Sequence, residues 1–306
     1  MDVDVDVLGR LLALLALLLF GAGLRTVGLL DTTRTAWLNA AAYYVALPAL
    51  VFVATYDRAI DELLSPSLAG GLALVFGLTA GIAWLVHRNR AADSRRSVAI
   101  VQSYHSNLGY LGLPLVAATF ADDVTAIASV VLGVVTLLQL PLTILVLSSL
   151  NGANATLSAE LRRLATNPVL LSLLAGLAIG SAHVSVAPAV TTGLDVLSMF
   201  ALPLALLCVG ASLQIDTPSV DAGATGAVVA LKICCMPLLA WAIFSWLAVD
   251  TATITATVVM LGTPTAVSTF VFANELGGDE AFASLNVFVT TLASIATLFV
   301  LITLVG

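Results

Sequence analysis

The sequence predicts an all-α integral membrane protein: ten transmembrane helices in two inverted five-helix repeats, with broken, crossing helices 4 and 9. Three observations predict it. The 306 residues are 60% hydrophobic and 9% charged, with a mean hydropathy of +1.10, whereas a soluble surface uses about a quarter charged residues. Apolar runs long enough to span a bilayer recur ten times between short polar connections. Proline-containing tripeptides recur at matching places in the two halves of the chain.

A spanning helix takes roughly 20 residues. The apolar runs fall near 7–30, 36–55, 67–87, 97–121, 124–149, 167–184, 191–213, 222–248, 252–275 and 281–305. The first has the shortest uninterrupted core, 11–24, so Arg10 and Arg25 must snorkel to opposite interfaces. The chain starts MDVDVDV, acidic where a secretory signal is basic, so the first run is read as a retained helix. No connection exceeds about twenty residues, which leaves no room for an extramembrane domain.

The net charge of −7 comes from acidic loop residues, among them Asp2, Asp4, Asp6, Asp57, Asp61, Glu62, Asp122 and Asp123. Ten of the eleven basic residues are arginine, and one is Lys232. Acidic loops with almost no lysine suit a high-salt organism, although GC-rich coding also favours arginine. Nothing here makes a nucleic-acid surface. Cys208, Cys234 and Cys235 lie in apolar runs without metal-ligand spacing and are read as small apolar filler.

Arginine placement predicts orientation. With the N-terminus outside, the inner loops and helix ends hold Arg25, Arg34, Arg88, Arg90, Arg95, Arg96, Arg162 and Arg163. The outer side holds Arg10 and Arg58. Eight against two places both termini outside the cell membrane. The halves, 1–150 and 151–306, then repeat. Ala46-Leu47-Pro48 in span 2 matches Ala201-Leu202-Pro203 in span 7, 155 residues on; Gly112-Leu113-Pro114 in span 4 matches Gly262-Thr263-Pro264 in span 9, 150 residues on. Five spans is an odd number, so the second copy enters the membrane inverted. Inverted repeats with corresponding Gly/Pro-interrupted segments point to a secondary transporter.

Two segments carry the chemistry. Ser106-Asn107-Leu108-Gly109-Tyr110-Leu111-Gly112-Leu113-Pro114 cannot hold a straight helix, because proline removes a donor and crowds the carbonyl four residues back. In lipid such a break must face protein or a wet cavity. A plain proline kink is the bland reading, but Gln102, Tyr104, His105 and Asn107 beside it favour a binding site. The second break runs from Gly262 through Thr263, Pro264 and Thr265 to Ser268 and Thr269. Thr269 is read as bonding its own helix backbone, Thr263 and Thr265 as facing the site. New half-helices starting near Leu115 and near Thr265 would aim their partly positive ends at one midplane spot and attract an anion.

Lys232 is the one ionisable residue deep in a span, where insertion costs roughly 2.5–3.5 kcal/mol. It is read as a substrate or coupling-ion group, or as a fixed cation between broken helices, ahead of a snorkelling surface lysine. A retinal lysine is rejected, since no span carries an Asp-rich counter-ion pattern. His105 either titrates near neutrality or bonds a neighbour. His87 and His183, at span ends, are read as solvated, Asp195 as interfacial, and Gln139 and Asn286 as helix-to-helix glue. No ligand cluster suggests a metal, and no nucleophile, Walker or dinucleotide motif suggests an enzyme or a cofactor.

With these residues in view, the chain resembles the auxin efflux carrier family. The likeness rests on Asn107-x-Gly109-x-x-Gly112-x-Pro114, on Ala201-Leu202-Pro203 leading to Gly210-Ala211-Ser212-Leu213, and on Asn167-Pro168. It continues in Thr263-Pro264-Thr265-Ala266-Val267, Ala273-Asn274-Glu275, Gly277-Gly278-Asp279 and Thr290-Thr291-Leu292-Ala293-Ser294. The resemblance implies a fold shared with bile-acid sodium symporters. Spans 1, 2, 6 and 7 would be a scaffold, spans 3–5 and 8–10 a moving transport domain, and spans 4 and 9 would cross at Pro114 and Pro264. Members export auxin in plants, and prokaryotic relatives include malate-type permeases. Unlike the plant carriers, this chain has no long central loop, which counts against kinase-type regulation there.

The expected function is secondary transport of a small organic anion by alternating access, driven by a proton, by sodium or by neither; a homodimer is compatible with it. The expected site is Tyr104, Asn107, Pro114, Thr263, Pro264, Thr265 and Ser268, with Lys232 as a coupling or ion-replacing group. A bile-acid-type sodium symporter is the alternative. An anion channel and a membrane-embedded enzyme are rivals from other classes; the enzyme lacks any convergent catalytic set.

Overall fold

The computed structural model describes residues 2–90, 92–153, 157–212 and 221–306. Apolar sequence folds here into helices because only a helix or a closed barrel pairs its own backbone in lipid. In chain order the main helices are α1 (Asp2–Thr26), α2 (Thr32–Thr55), α3 (Pro66–His87), α4a (Asp93–Gln102), α4b (Leu108–Thr119) and α5 (Asp122–Asn151). They continue with α6 (Pro168–Ser181), α7 (Pro188–Ser212), α8 (Ala222–Trp246), α9a (Thr251–Leu261), α9b (Ser268–Glu275) and α10 (Glu280–Val305). Short helices at Ile60–Leu63 and Leu157–Ala165 fill two connections.

The protein is an all-helical membrane protein, but its helices are uneven. Among the described residues six of them, α2, α3, α5, α7, α8 and α10, are long and apolar enough to cross a bilayer. The expected span at 7–30 falls on the 25-residue α1, while those at 97–121, 167–184 and 252–275 fall on shorter apolar helices, α4b, α6 and α9a. In spans 4 and 9 the cause is an internal break. In span 6 it is the pair of flanking signals, Asn167 with Pro168 at the start and Ser181 at the end of a 14-residue helix.

Helix starts are set by short polar side chains. Asp31, Ser65, Asn167, Asp221, Asp250 and Asp279 each accept a backbone N–H from the first turn they precede. Some acidic loop residues are therefore caps. Prolines account for three π-helical turns, at Ala42–Ala46, Leu108–Gly112 and Ala230–Cys235. Each is followed by a proline, Pro48, Pro114 or Pro237, that cannot bond the carbonyl four residues back. Widening the turn accommodates the misfit without ending the helix.

Packing pairs the two halves of the chain crosswise. α1 lies on α7, with Gly210 against the Leu18 carbonyl, and α6 lies on α2, with Gly176 against Thr55. Ser172 of α6 also donates to the Pro48 carbonyl of α2. The polar ties, by contrast, join the other helices. At the arginine-bearing end Arg90 pairs with Asp221 at 3.2 Å and Arg95 with Asp279 at 2.8 Å, and Asn151 donates to Leu276 O at 2.9 Å.

His87 corrects the expectation of a solvated side chain. It is fully buried, accepts from Arg90 Nε at 3.0 Å and lies 3.2 Å from Ser103 Oγ. Since Nδ1 accepts, the proton sits on Nε2 and is donated to Ser103. His183 and Asp195 are exposed as expected.

The glycine contacts predict a stability difference. In Gly210→Ala the new Cβ meets Leu18 backbone, and overpacking of this kind should lower stability by about 1–3 kcal/mol. Gly77→Ala has no neighbouring atom within 4 Å and should be neutral or slightly stabilising. Thermal melts of the two variants in detergent check this; equal melting temperatures would contradict the close α1–α7 contact.

Candidate functional site

A helix that stops inside the bundle must find partners for its end groups. α4a stops at Gln102 and α9a at Leu261, and the chain runs extended before α4b and α9b begin. The two extended stretches supply each other's partners. Ser106 and Thr265 form an isolated antiparallel bridge. Asn107 N–H donates to Pro264 O at 2.9 Å, and Ala266 N–H donates to His105 O at 3.0 Å. His105-Ser106-Asn107 and Pro264-Thr265-Ala266 are thus paired head to tail, each with one donor and one acceptor turned to the other.

This pairing corrects two expectations. The first new half-helix starts at Leu108, not near Leu115, and the second starts at Ser268, just past Thr265. Pro264 lies in the crossing, but Pro114 sits inside α4b, beyond it. The reason is physical: the π-turn before Pro114 absorbs the missing donor, so the chain breaks earlier, where Gln139 and the second extended stretch can pair it. Gly112 packs closely here, since a Cβ there would meet Met260 Sδ at 2.9 Å and Thr263 Cγ2 at 3.2 Å.

Beside the crossing is a cavity of about 710 Å³. It is lined by α2, α5, α7, the first turns of α4b and α9b, and the residues that open α6. Its deep end carries His105, Ser106, Asn107, Gln139 and Ser268; Asn39, Arg163, Thr166 and Asn167 line it toward the arginine-bearing end. Tyr43 and Tyr44, in edge-to-face contact at 5.0 Å, and Tyr110 give it aromatic walls. The leading N–H groups of a helix lack partners within it, and two such starts border this one space. Asn107 adds a side-chain donor: the residue is buried, and its Nδ2 has no hydrogen-bond partner. Two helix starts thus border the cavity, and the Asn107 amide lies buried beside it without a partner.

The other expected site residues divide. Ser268 joins Asn107 on the cavity wall. Thr265 is fully buried with an unpartnered Oγ1, but it does not line the cavity. Thr263 spends its hydroxyl on Met260 O at 2.8 Å, the backbone use expected instead of Thr269. Thr269 does bond its own backbone, donating to Ala266 O at 2.7 Å, and also accepts from Gln102 Nε2 at 3.0 Å. Tyr104 is sealed behind the break, against Phe76 at 5.1 Å and 3.4 Å from Thr143 Oγ1. His105 takes its bonding role, with Nδ1 2.8 Å from the same hydroxyl. Asn286 is glue, donating to Gln102 Oε1 at 2.8 Å while Gln102 donates to Ala283 O at 2.9 Å.

Lys232 does not snorkel. It is fully buried, and its ammonium donates to Leu261 O at 2.8 Å, the last carbonyl of α9a, with Met236 Sδ at 3.5 Å. Among the described residues no carboxylate pairs with it. A cation at a helix C-terminus meets the negative end of its dipole. Lys232 therefore holds the end of α9a and does not line the cavity. Residues the sequence did not single out, Asn39, Tyr110 and Arg163, complete the lining; they read as ordinary interfacial or loop residues until the fold brings them together.

An apolar helical bundle broken at its centre, beside a cavity bordered by two helix starts, belongs to the class of multi-pass membrane transporters. The chain belongs to the family described as membrane transport protein, of the auxin efflux carrier type, which it matches over residues 6–302. It is a transporter and not an enzyme. A protein of Rhizobium meliloti (strain 1021) named "Putative malonate transporter" is 26% identical over 275 residues, covering 85% of this chain and 84% of that one. A protein of Methanothermobacter thermautotrophicus named "Uncharacterized transporter" is 27% identical over 289 residues, 94% of each chain. Among the described residues no cluster of His, Cys, Asp or Glu could hold a metal ion.

The placement of Thr265 yields a prediction. A buried hydroxyl without a partner costs about 1–3 kcal/mol, so Thr265→Val, which keeps the shape, should raise the melting temperature and leave anion affinity unchanged. Weakened anion binding in this variant would return Thr265 to the cavity wall.

Proposed function

We propose that the protein is a secondary transporter of small carboxylates, taken up in the cavity beside the Ser106–Thr265 crossing and moved by alternating access. The observation that carries this reading is the unpartnered Asn107 amide at a cavity bordered by the starts of α4b and α9b. The name of the Rhizobium relative makes malonate the first substrate to try. Residues 1–150 and 151–306 are read as inverted repeats, each contributing five membrane-crossing segments. The crosswise pairing of α1 with α7 and α6 with α2, and the reciprocal bonds at the crossing, support that reading. α1, α2, α6 and α7 would form the scaffold. α3–α5 and α8–α10, tied together by Arg95–Asp279, Gln102–Thr269 and Lys232–Leu261, would move as one body. With both termini outside, the cavity opens toward the cytoplasm.

Asn107→Ala tests the site. It should weaken malonate binding by about 1–3 kcal/mol, roughly tenfold to a hundredfold, in thermal-shift titrations of folded protein. Unchanged affinity across a panel of mono- and dicarboxylates would move the site elsewhere. Orientation is tested by single cysteines in a cysteine-free background. Ala92→Cys and Ala155→Cys should react with an impermeant maleimide only after permeabilisation; labelling of both in intact cells reverses the topology.

The Lys232 amine at the last carbonyl of α9a takes the place a bridging sodium ion would fill, which favours a proton or the membrane potential as driving force over the bile-acid-type sodium mechanism. Lys232→Gln should lower the melting temperature of the empty protein, and sodium should restore part of the loss. A variant that melts like the parent with and without sodium would end the ion-replacement reading.

A further inference from the structure

In an antiparallel pair the residues flanking a non-hydrogen-bonded position turn their polar groups to the partner strand, and the residue at that position turns its own away. Ser106 occupies such a position: His105 and Asn107 bond the second stretch, and Ser106 N–H and C=O face the other way. A sheet would offer a third strand there. This protein offers one side chain. Gln139 Oε1 accepts Ser106 N–H at 3.0 Å, and Gln139 Nε2 donates to Ser106 O at 3.3 Å. A carboxamide has the donor and acceptor of a peptide group, so Gln139 takes the place of the missing strand.

Its element reinforces the match. Thr143 lies one turn beyond Gln139 on α5, the spacing that places two side chains on one helix face. Its hydroxyl is within 2.8 Å of His105 Nδ1 and 3.4 Å of Tyr104 OH. Two residues of α5 thus hold Tyr104, His105 and Ser106, three consecutive residues of the break. Asn107 is next in the chain, so the direction of its amide follows from where Ser106 is held.

We propose that Gln139 is the positioning residue of the anion site: by pairing both polar groups of the Ser106 peptide, it aims the Asn107 amide into the cavity without binding the anion itself. The proposal rests on the reading of Asn107 as an anion donor. It also separates the two crossing stretches: the first is fixed to α5, while the second is supported at the end of α9a by Lys232. Glutamate at 139 would retain the acceptor for Ser106 N–H but keep the donor for Ser106 C=O only when protonated.

The test uses intact protein in detergent, with malonate as probe, and reads two quantities. One is amide hydrogen exchange of the peptide spanning 103–112 in the empty protein; the other is malonate affinity. Gln139→Leu should raise exchange and weaken affinity about tenfold. Gln139→Glu should behave like Gln139→Leu at high pH and return toward the parent in both readouts as pH falls. Each comparison is made with the parent at the same pH, and it needs only one variant to fold. Weakened affinity with unchanged exchange would make Gln139 a direct ligand and overturn the proposal. So would unchanged affinity in both Gln139 variants while Asn107→Ala weakens binding. If Asn107→Ala also leaves affinity unchanged, the functional reading fails with it, which is distinguishable from failure of Gln139 alone.

Discussion

An unpaired peptide group inside hydrocarbon costs several kcal/mol, so a helix can stop in mid-bundle only where something completes its hydrogen bonds. Here each of two stopped helices completes the other. Asn107 donates to Pro264 O and Ala266 to His105 O, two bonds between stretches 159 positions apart in sequence at Ser106 and Thr265. The other features of the centre are arranged around them. Gln139 serves the outward-turned groups of Ser106, Lys232 serves the last carbonyl of α9a, and Gly112 lets α4b approach the second stretch. Removing helix at this point leaves two helix starts beside one cavity, which a continuous helix could not do.

Much of the fold was legible because apolar length and punctuation are local signals. The long helices and the interruption of spans 4 and 9 follow from residue order. The register of the crossing did not. The tripeptide match aligns Pro114 with Pro264, but a proline can be absorbed by a π-turn, as at Pro48 and Pro237. What decides where a helix opens is a partner from another element. Gln139, one polar residue in an apolar span, resembles helix glue until its distance to Ser106 is known. Thr263 and Thr265 look equivalent in sequence, yet one bonds its own turn and the other has no partner.

The centre is also electrostatically polarised. Helix starts border the cavity, while the buried amine of Lys232 sits at the end of α9a and is not part of the lining. The cation is therefore kept off the cavity lining. Arg163, paired with Glu275 at 3.2 Å, lies on the cavity lining toward the arginine-bearing end.

The central claim is that the crossing holds an anion through the Asn107 amide and the starts of α4b and α9b. Anomalous diffraction from crystals grown with bromomalonate tests it most directly. The account predicts a bromine peak inside the cavity, with a carboxylate oxygen within hydrogen-bond distance of Asn107 Nδ2. A peak confined to Arg163 and the loops beyond it, with Asn107 Nδ2 still unpaired, would contradict it.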